Sequence, residues 1–200
     1  MLAYFRKSPN NESAFDLVVH NYGTSAAFEV DVTFPTDGRY RIDIEFRQQG
    51  QMADVLHRTE VTIGDPAGFE PEPPAVTGRE QVVDGVRVAL EGEALAEGDS
   101  EFTFHFTDPA TGEPIDDLQP YLAAAGHVVV MSEDGSSFAH EHAEVETADG
   151  DPVFALPGQR FGPALDVHTH LDGPGLHQLW GQFRLADGRV ITVPFTVDAR

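Results

Sequence analysis

A chain of 200 residues with 34 acidic and 12 basic side chains carries a formal charge of -22, which repels nucleic-acid phosphate and anionic lipid and attracts cations. The absence of cysteine removes disulfides, thiolate catalysis, thiolate zinc sites and the His/Cys blue-copper site together. A hydrophobic share of 40% with 14 Phe suffices for a core, and no apolar run reaches the roughly 18–20 residues that span a membrane.

The opening "MLAYFRKSPNN" is too polar for a signal peptide. Short alternating segments then run almost the whole length, and each reads as a strand: "AFDLVVH", "FEVDVTF", "YRIDIEF" and "VLHRTEVTI" first. Next comes "GDPAGFEPEPPAVTGRE" (64–80), rich in Pro, Gly and Glu, which reads as an interdomain linker. After it follow "VRVALEG", "FTFHFTD", "HVVVM", "SFAHEH", "ALDVHTHL", "HQLWGQF" and "VITVPFTV". The turns "TDG", "EDG" and "ADG" fall between strands, and the one break from strand periodicity is a short helical turn at "LQPYLAAAG". The pattern predicts an all-β chain, an antiparallel β-sandwich of immunoglobulin or cupredoxin type. It has two related units, 1–63 and 81–200, joined by the 64–80 linker.

The relation between the units rests on "FEVDVTFPTDGRYRIDIEFR" (28–47), which lies without a gap over "LDVHTHLDGPGLHQLWGQFR" (165–184). Gly38 falls on Gly175, Tyr40 on His177 and Phe46 on Phe183. "YFRKSP" then lies on "FAHEHA", so the first unit begins in mid-hairpin and lacks its earlier strands. That predicts a chain truncated at its start, or a sheet edge covered by the second unit or by another copy in a homo-oligomer.

Three of the nine histidines fall in "GHVVVMSEDGSSFAHEHAE" (126–144). With Asp134-Gly135 as a two-residue turn, His127 faces His142, Val129 faces His140 and Met131 faces Phe138, all on one side of the hairpin. Cross-strand neighbours have Cβ atoms roughly 4.5–5.5 Å apart, which lets imidazoles share an ion about 2.0–2.1 Å from each nitrogen. Clustered imidazoles that protonate together repel one another, and a cation removes that objection. His127, His140 and His142 are therefore the predicted ligands of a divalent or copper ion, with Cu(II), Zn(II) and Ni(II) all suited to imidazole. Parity with Leu179 and Phe183 points His177 toward the core and makes it the expected fourth ligand. His168 and His170 point outward, as a shallower second site or as plain surface residues. His20, His57 and His105 read as structural, and Met131 as packing.

No G-x-S-x-G, phosphate loop, dinucleotide fingerprint or H-E-x-x-H occurs, and Glu141 points away from the histidine face. The expected role is binding, with a His-ligated metalloenzyme and a structural or adhesive module with incidental histidines as the alternatives.

"GEPIDDLQPYLAAAGHVVVMSEDGSSFAHEHAE" followed by "GLHQLWGQFRLADGRVITVPFTV" resembles a family of uncharacterised extracytoplasmic bacterial β-sandwich proteins, suspected of binding heavy metals. Its pattern is "dL-x-PYLGA-x-GH…H-x-HP…G-x-Y-x-x-W-x-QF…V-x-T-x-PF-x-V", often the second of two repeats. The resemblance covers about 112–198, and more loosely 1–63. It implies His127, His140 and His142 as ligands, Tyr121, Trp180 and Phe183 as framework, and a location outside the cytoplasm, though the family's usual export signal is missing here. The chain departs from the pattern at Ala143, where the family has Pro, and at His177, where it has an aromatic. The acidic, lysine-poor composition also resembles that of proteins from high-salt environments.

Overall fold

In a computed structural model of the chain, residues 2–8, 20–21, 28–29, 32–34, 36–46, 55–65, 67, 76–145 and 155–200 are described, with side chains from residue 32 onward. The chain divides into two compact units, Met1–Pro73 and Pro74–Arg200. The boundary falls inside the predicted linker, of which residues 66 and 68–75 lie outside the described residues. Residues 76–80 already belong to the second unit. Leu90 N–H donates to Arg79 O at 2.8 Å, and Thr77 Oγ1 accepts from Thr196 N–H at 2.9 Å.

The first unit contains β1 (Leu2–Ser8), β2 (His20–Asn21), β3 (Phe28–Glu29), β4 (Gly38–Phe46) and β5 (Val55–Ile63). Strands β1, β4 and β5 form an antiparallel sheet in the order β1-β4-β5, and β2 pairs with β3. Of the predicted strand 14–20, residues 14–19 lie outside the described residues and His20 opens β2. The strand predicted over 28–34 is shorter, because residues 32–34 are not extended into a ladder. The β4–β5 pairing sets Asp43 opposite Arg58. The carboxylate of Asp43, fully buried, accepts from Arg58 Nε at 2.7 Å and Arg41 Nε at 2.8 Å. Both oxygens of a buried charge are thus met by charged donors, as burial requires.

The second unit contains β6 (Glu80–Val83), β7 (Val86–Gly92), β8 (Asp99–Thr107), β9 (Gly126–Ser132), β10 (Phe138–Ala143), β11 (Ala164–His170), β12 (Gly175–Arg184) and β13 (Val190–Ala199). They form two antiparallel four-stranded sheets, β10-β9-β12-β13 and β11-β8-β7-β6, the β-sandwich expected. No α-helix occurs among the described residues. The helical turn predicted at 118–126 is instead a pair of bridges, Leu118 to Phe161 and Gln119 to Arg184, followed by a tight reverse turn at Tyr121–Ala124.

The period of two decides what each sheet buries. Phe102, Phe104 and Phe106 of β8 meet Val128 and Val130 of β9, Leu179 and Phe183 of β12, and Phe195 of β13 in one core. The Phe183 ring lies 5.2 Å from that of Phe104 and 4.7 Å from that of Phe106, centroid to centroid. Gly126 and Gly181 make this fit, since a Cβ at either would come within 2.5 Å of the Phe183 ring. Both ends of the sheet stack are tied. Glu144 and Asp166 exchange backbone hydrogen bonds of 2.9 and 2.8 Å where the β10 strand leaves toward β11, and Thr77 ties to β13 as above.

Because Val128 and Val130 face the core, His127, Val129 and Met131 face the other side of the sheet. The register of β9 with β12 puts Gln182, Trp180 and Gln178 on that same outer side, opposite His127, Val129 and Met131 in turn. The histidine face of the hairpin is the outer face of the sheet, and this fixes which of the predicted ligands can meet.

Candidate metal centre

The β9–β10 ladder sets His142 opposite His127, His140 opposite Val129 and Phe138 opposite Met131, the register the sequence predicts. The connection is longer than a two-residue turn. The ladder stops at Met131 and Phe138, and Asp134 Oδ1 organises the loop by accepting from Ser132 Oγ and Ser136 N–H, each at 2.8 Å. The register survives because the loop is still centred between Asp134 and Gly135.

His127, His140 and His142 converge, each offering one ring nitrogen, with these atoms all within 4.8 Å of one another. Nδ1 of His127 lies 2.9 Å from Nε2 of His140. Two nitrogens about 2.0–2.1 Å from one ion are separated by about 2.9 Å at a right angle and about 3.4 Å at a tetrahedral one. That pair already has the spacing of two ligands of one ion, and the third nitrogen lies within 4.8 Å of both. The rings of His127 and His140 stack at 5.1 Å and 9°, and His142 stands edge-on to both. Burial is graded, from His127, only 2% exposed, through half-buried His140 to exposed His142. Among the described residues no Asp or Glu joins the group.

His127 carries the electrostatic signature of the cluster. Burial first, then the neighbouring His140 and His142, push its pKa down from 6.5 to about 4, against the opposing pull of hydrogen bonds to the Tyr121 and Leu122 backbone. The imidazole is neutral at pH 7, the state in which it is a ligand. Its Nε2–H donates to Tyr121 O at 3.0 Å, which leaves Nδ1 as the nitrogen with a lone pair facing the cluster. The Tyr121 ring stands edge-on over His127 at 5.6 Å.

The carbonyl of Tyr121 is held by an unusual turn. Tyr121 and Ala124 exchange hydrogen bonds of 2.9 and 3.0 Å, and the two central residues, Leu122 (φ 48°) and Ala123 (φ 70°), are both left-handed without being glycine. This is a type I′ geometry, in which Asn-Gly is the favoured pair. A left-handed L-residue costs roughly 1–2 kcal/mol, and glycine returns about 0.5–1 kcal/mol of that as chain entropy. Ala123→Gly should therefore stabilise the ion-free protein by up to about 1 kcal/mol, read as a rise of a few degrees in melting temperature; a fall would contradict the left-handed turn.

His177 is not part of the centre, which corrects the expectation of a fourth ligand. Its partner on β9 is Ser132, five positions from His127 and so about 17 Å along the strand. It also lies on the core side of the sheet, whereas His127 lies on the outer side. The parity argument placed His177 correctly toward the core and erred in placing the histidine hairpin face there too. His177 is fully buried, with Nδ1 bonded to Gly175 O at 3.1 Å and Nε2 without a protein partner. His168 and His170 project outward as predicted, His170 beside Asp99 at 3.3 Å, and they join no candidate ligand group among the described residues. His105 pairs at 3.3 Å with Glu91 on the outer face of β8. Met131, buried, sits two residues beyond Val129 on the histidine side.

Sequence reasoning missed the Tyr121 carbonyl as part of the site. Tyr121 stood out as framework, but a backbone oxygen leaves no signature in residue identity, and "YLAAAG" carries none of the Asn-Gly signal that marks this turn elsewhere.

The profile of a family described as a domain of unknown function, DUF8832, matches residues 81–200. No curated protein and no solved structure matches the chain.

Proposed function

We propose a function from the site itself, because the chain belongs to DUF8832, a family whose function is unknown. The protein binds a copper, zinc or nickel ion through His127, His140 and His142, and its role is binding, buffering or sensing. One observation carries the reading: three imidazoles converge to within 4.8 Å on one sheet face, and the most buried donates its remote N–H to a backbone carbonyl. Metal-bound histidines are oriented in just this manner, because the second bond fixes the tautomer and raises the basicity of the ligating nitrogen. Imidazole without thiolate or carboxylate suits Cu(II), Zn(II) and Ni(II). A chain charged -22 concentrates cations around itself. The resemblance to extracytoplasmic proteins supports a role outside the cytoplasm. No helix among the described residues is long and apolar enough to cross a membrane.

The test is a thermal melt of chelator-stripped protein with each ion, on the wild type and on His140→Ala/His142→Ala. At a hundred times its Kd an ion stabilises the native state by about 2.7 kcal/mol, a shift of several degrees. Because the variant also removes the His140 partner of buried His127 Nδ1, each shift is read against the ion-free melt of the same protein. The reading requires a shift with at least one ion that the variant lacks; no shift, or the same shift in both proteins, overturns it.

A further inference from the structure

We infer that the Tyr121–Ala124 turn is a positioning element that dictates how the ion is held: His127 ligates through Nδ1 and His140 through Nε2, a mixed set imposed by the Tyr121 carbonyl. The inference rests on the metal-binding reading and goes beyond it by assigning the ligating atoms and the residues that select them. An imidazole in a strand can turn either nitrogen toward a neighbour. Here one nitrogen is taken, because Nε2 of His127 lies 3.0 Å from Tyr121 O, an acceptor that demands a proton on that nitrogen. Nδ1 is left at 2.9 Å from Nε2 of His140.

The carbonyl owes its direction to the left-handed Leu122-Ala123 pair. Turning Leu122 to negative φ would rotate the Tyr121–Leu122 peptide and swing the oxygen away from the ring. Strain of this kind persists where the surroundings over-determine it, and it concentrates at ligand clamps. Leu122 itself is 52% exposed, so its side chain does not hold the turn by packing. The mutual hydrogen bonds of Tyr121 and Ala124, and the edge-on Tyr121 ring, do so.

The variant that separates positioning from folding is Leu122→Pro. Proline fixes φ near -65° where this turn needs 48°, so the carbonyl must move while every histidine stays. Ala123→Gly is the conservative partner, since it keeps the left-handed path. Full-length protein with ¹⁵N-labelled histidine is observed by long-range ¹H–¹⁵N correlation NMR, ion-free and with Zn(II) as the diamagnetic probe, and Zn(II) affinity is measured in parallel. The expected spectrum of the loaded wild type has His127 coordinated at Nδ1 with the proton retained on Nε2. Zn(II) affinity should fall about 10- to 100-fold in Leu122→Pro, the usual effect of losing an outer partner of a ligand, and stay within about twofold in Ala123→Gly. Coordination of His127 through Nε2, or wild-type affinity in a folded Leu122→Pro, overturns the inference and leaves the metal reading standing. Should Leu122→Pro fail to fold, the wild-type spectrum decides alone. If Zn(II) shifts none of the three rings, the inference falls, and the metal reading falls with it only if Cu(II) and Ni(II) also leave the melt unchanged.

Discussion

Phe183→Ala should destabilise the Pro74–Arg200 unit by about 3–5 kcal/mol, the range for emptying a buried aromatic site. The ring is fully buried and stacks edge-on against Phe106 and tilted against Phe104. Such aromatic pairs contribute about 0.5–1.5 kcal/mol each beyond the area they bury. Collapse around the cavity is limited where Gly126 and Gly181 face the ring, since neither has a side chain to move in. Conversely, Gly181→Ala should cost about 1–3 kcal/mol by overpacking, since its new Cβ would stand 2.5 Å from the ring. Denaturant midpoints with unchanged m-values check both. A loss under about 1 kcal/mol for Phe183→Ala would mean that the core is not built around this residue. The effect reaches the site, because Gly126 directly precedes His127 and the ring lies under that end of β9.

Between pH 6.5 and about 4 the ion-free protein should lose roughly 3 kcal/mol through His127 alone. The folded pKa is about 4 and the ordinary value is 6.5. As the pH falls through 6.5 the unfolded chain takes up a proton that the folded chain refuses until near pH 4, so the unfolded state gains. Stability is therefore whole above pH 6.5 and declines by about 1.4 kcal/mol for each pH unit below it, until the folded ring also protonates. Burial is the main cause, and the neighbouring His140 and His142 add to it. The carboxylates titrate in part of the same range, so the quantity that counts is the difference in slope between the wild type and His127→Gln. Denaturation at a series of pH values should give a shallower slope for the variant; equal slopes would show that the ring is not held neutral by its surroundings. A bound ion steepens the wild-type dependence further, since protons and metal compete for the same nitrogens.

Most of the second unit was legible in the sequence because its strands have one face in the core. The alternation of Phe102, Phe104 and Phe106 against His105 fixed the inner face of β8, and Leu165, Val167 and Thr169 did the same for β11. The hairpin register followed from Asp134-Gly135 even though the loop is longer than the turn assumed. Strand β6 was overlooked, although "QVVDGVRV" carries an Asp-Gly hairpin signal, realised as Asp84 and Gly85 both at positive φ. Only its first residue, Glu80, fell within the predicted 64–80 linker; residues 81–83 were placed in the second unit without being read as a strand.

The error over His177 has a different origin. Strands β9 and β12 are buried on both sides, with Val128, Val129, Val130 and Met131 all below 4% exposed, so hydrophobicity could not say which side held the histidines. Only the pairing of His177 with Ser132 and of Gln182 with His127 decides it. The proposed likeness between the units meets a similar limit. In the first unit β1 pairs directly with β4, and in the second β9 pairs with β12, so an alignment of 28–47 with 165–184 would set β1 against β9 and not against "FAHEHA" in β10.

The most direct test of the central claim is a stoichiometric titration of Cu(II), Zn(II) and Ni(II) into chelator-stripped protein at high ionic strength, where the diffuse pull of an acidic surface is screened. The account predicts one saturable equivalent of at least one ion in the wild type, and none in His140→Ala/His142→Ala. Only diffuse binding in the wild type, or an equivalent that survives loss of both histidines, would contradict it.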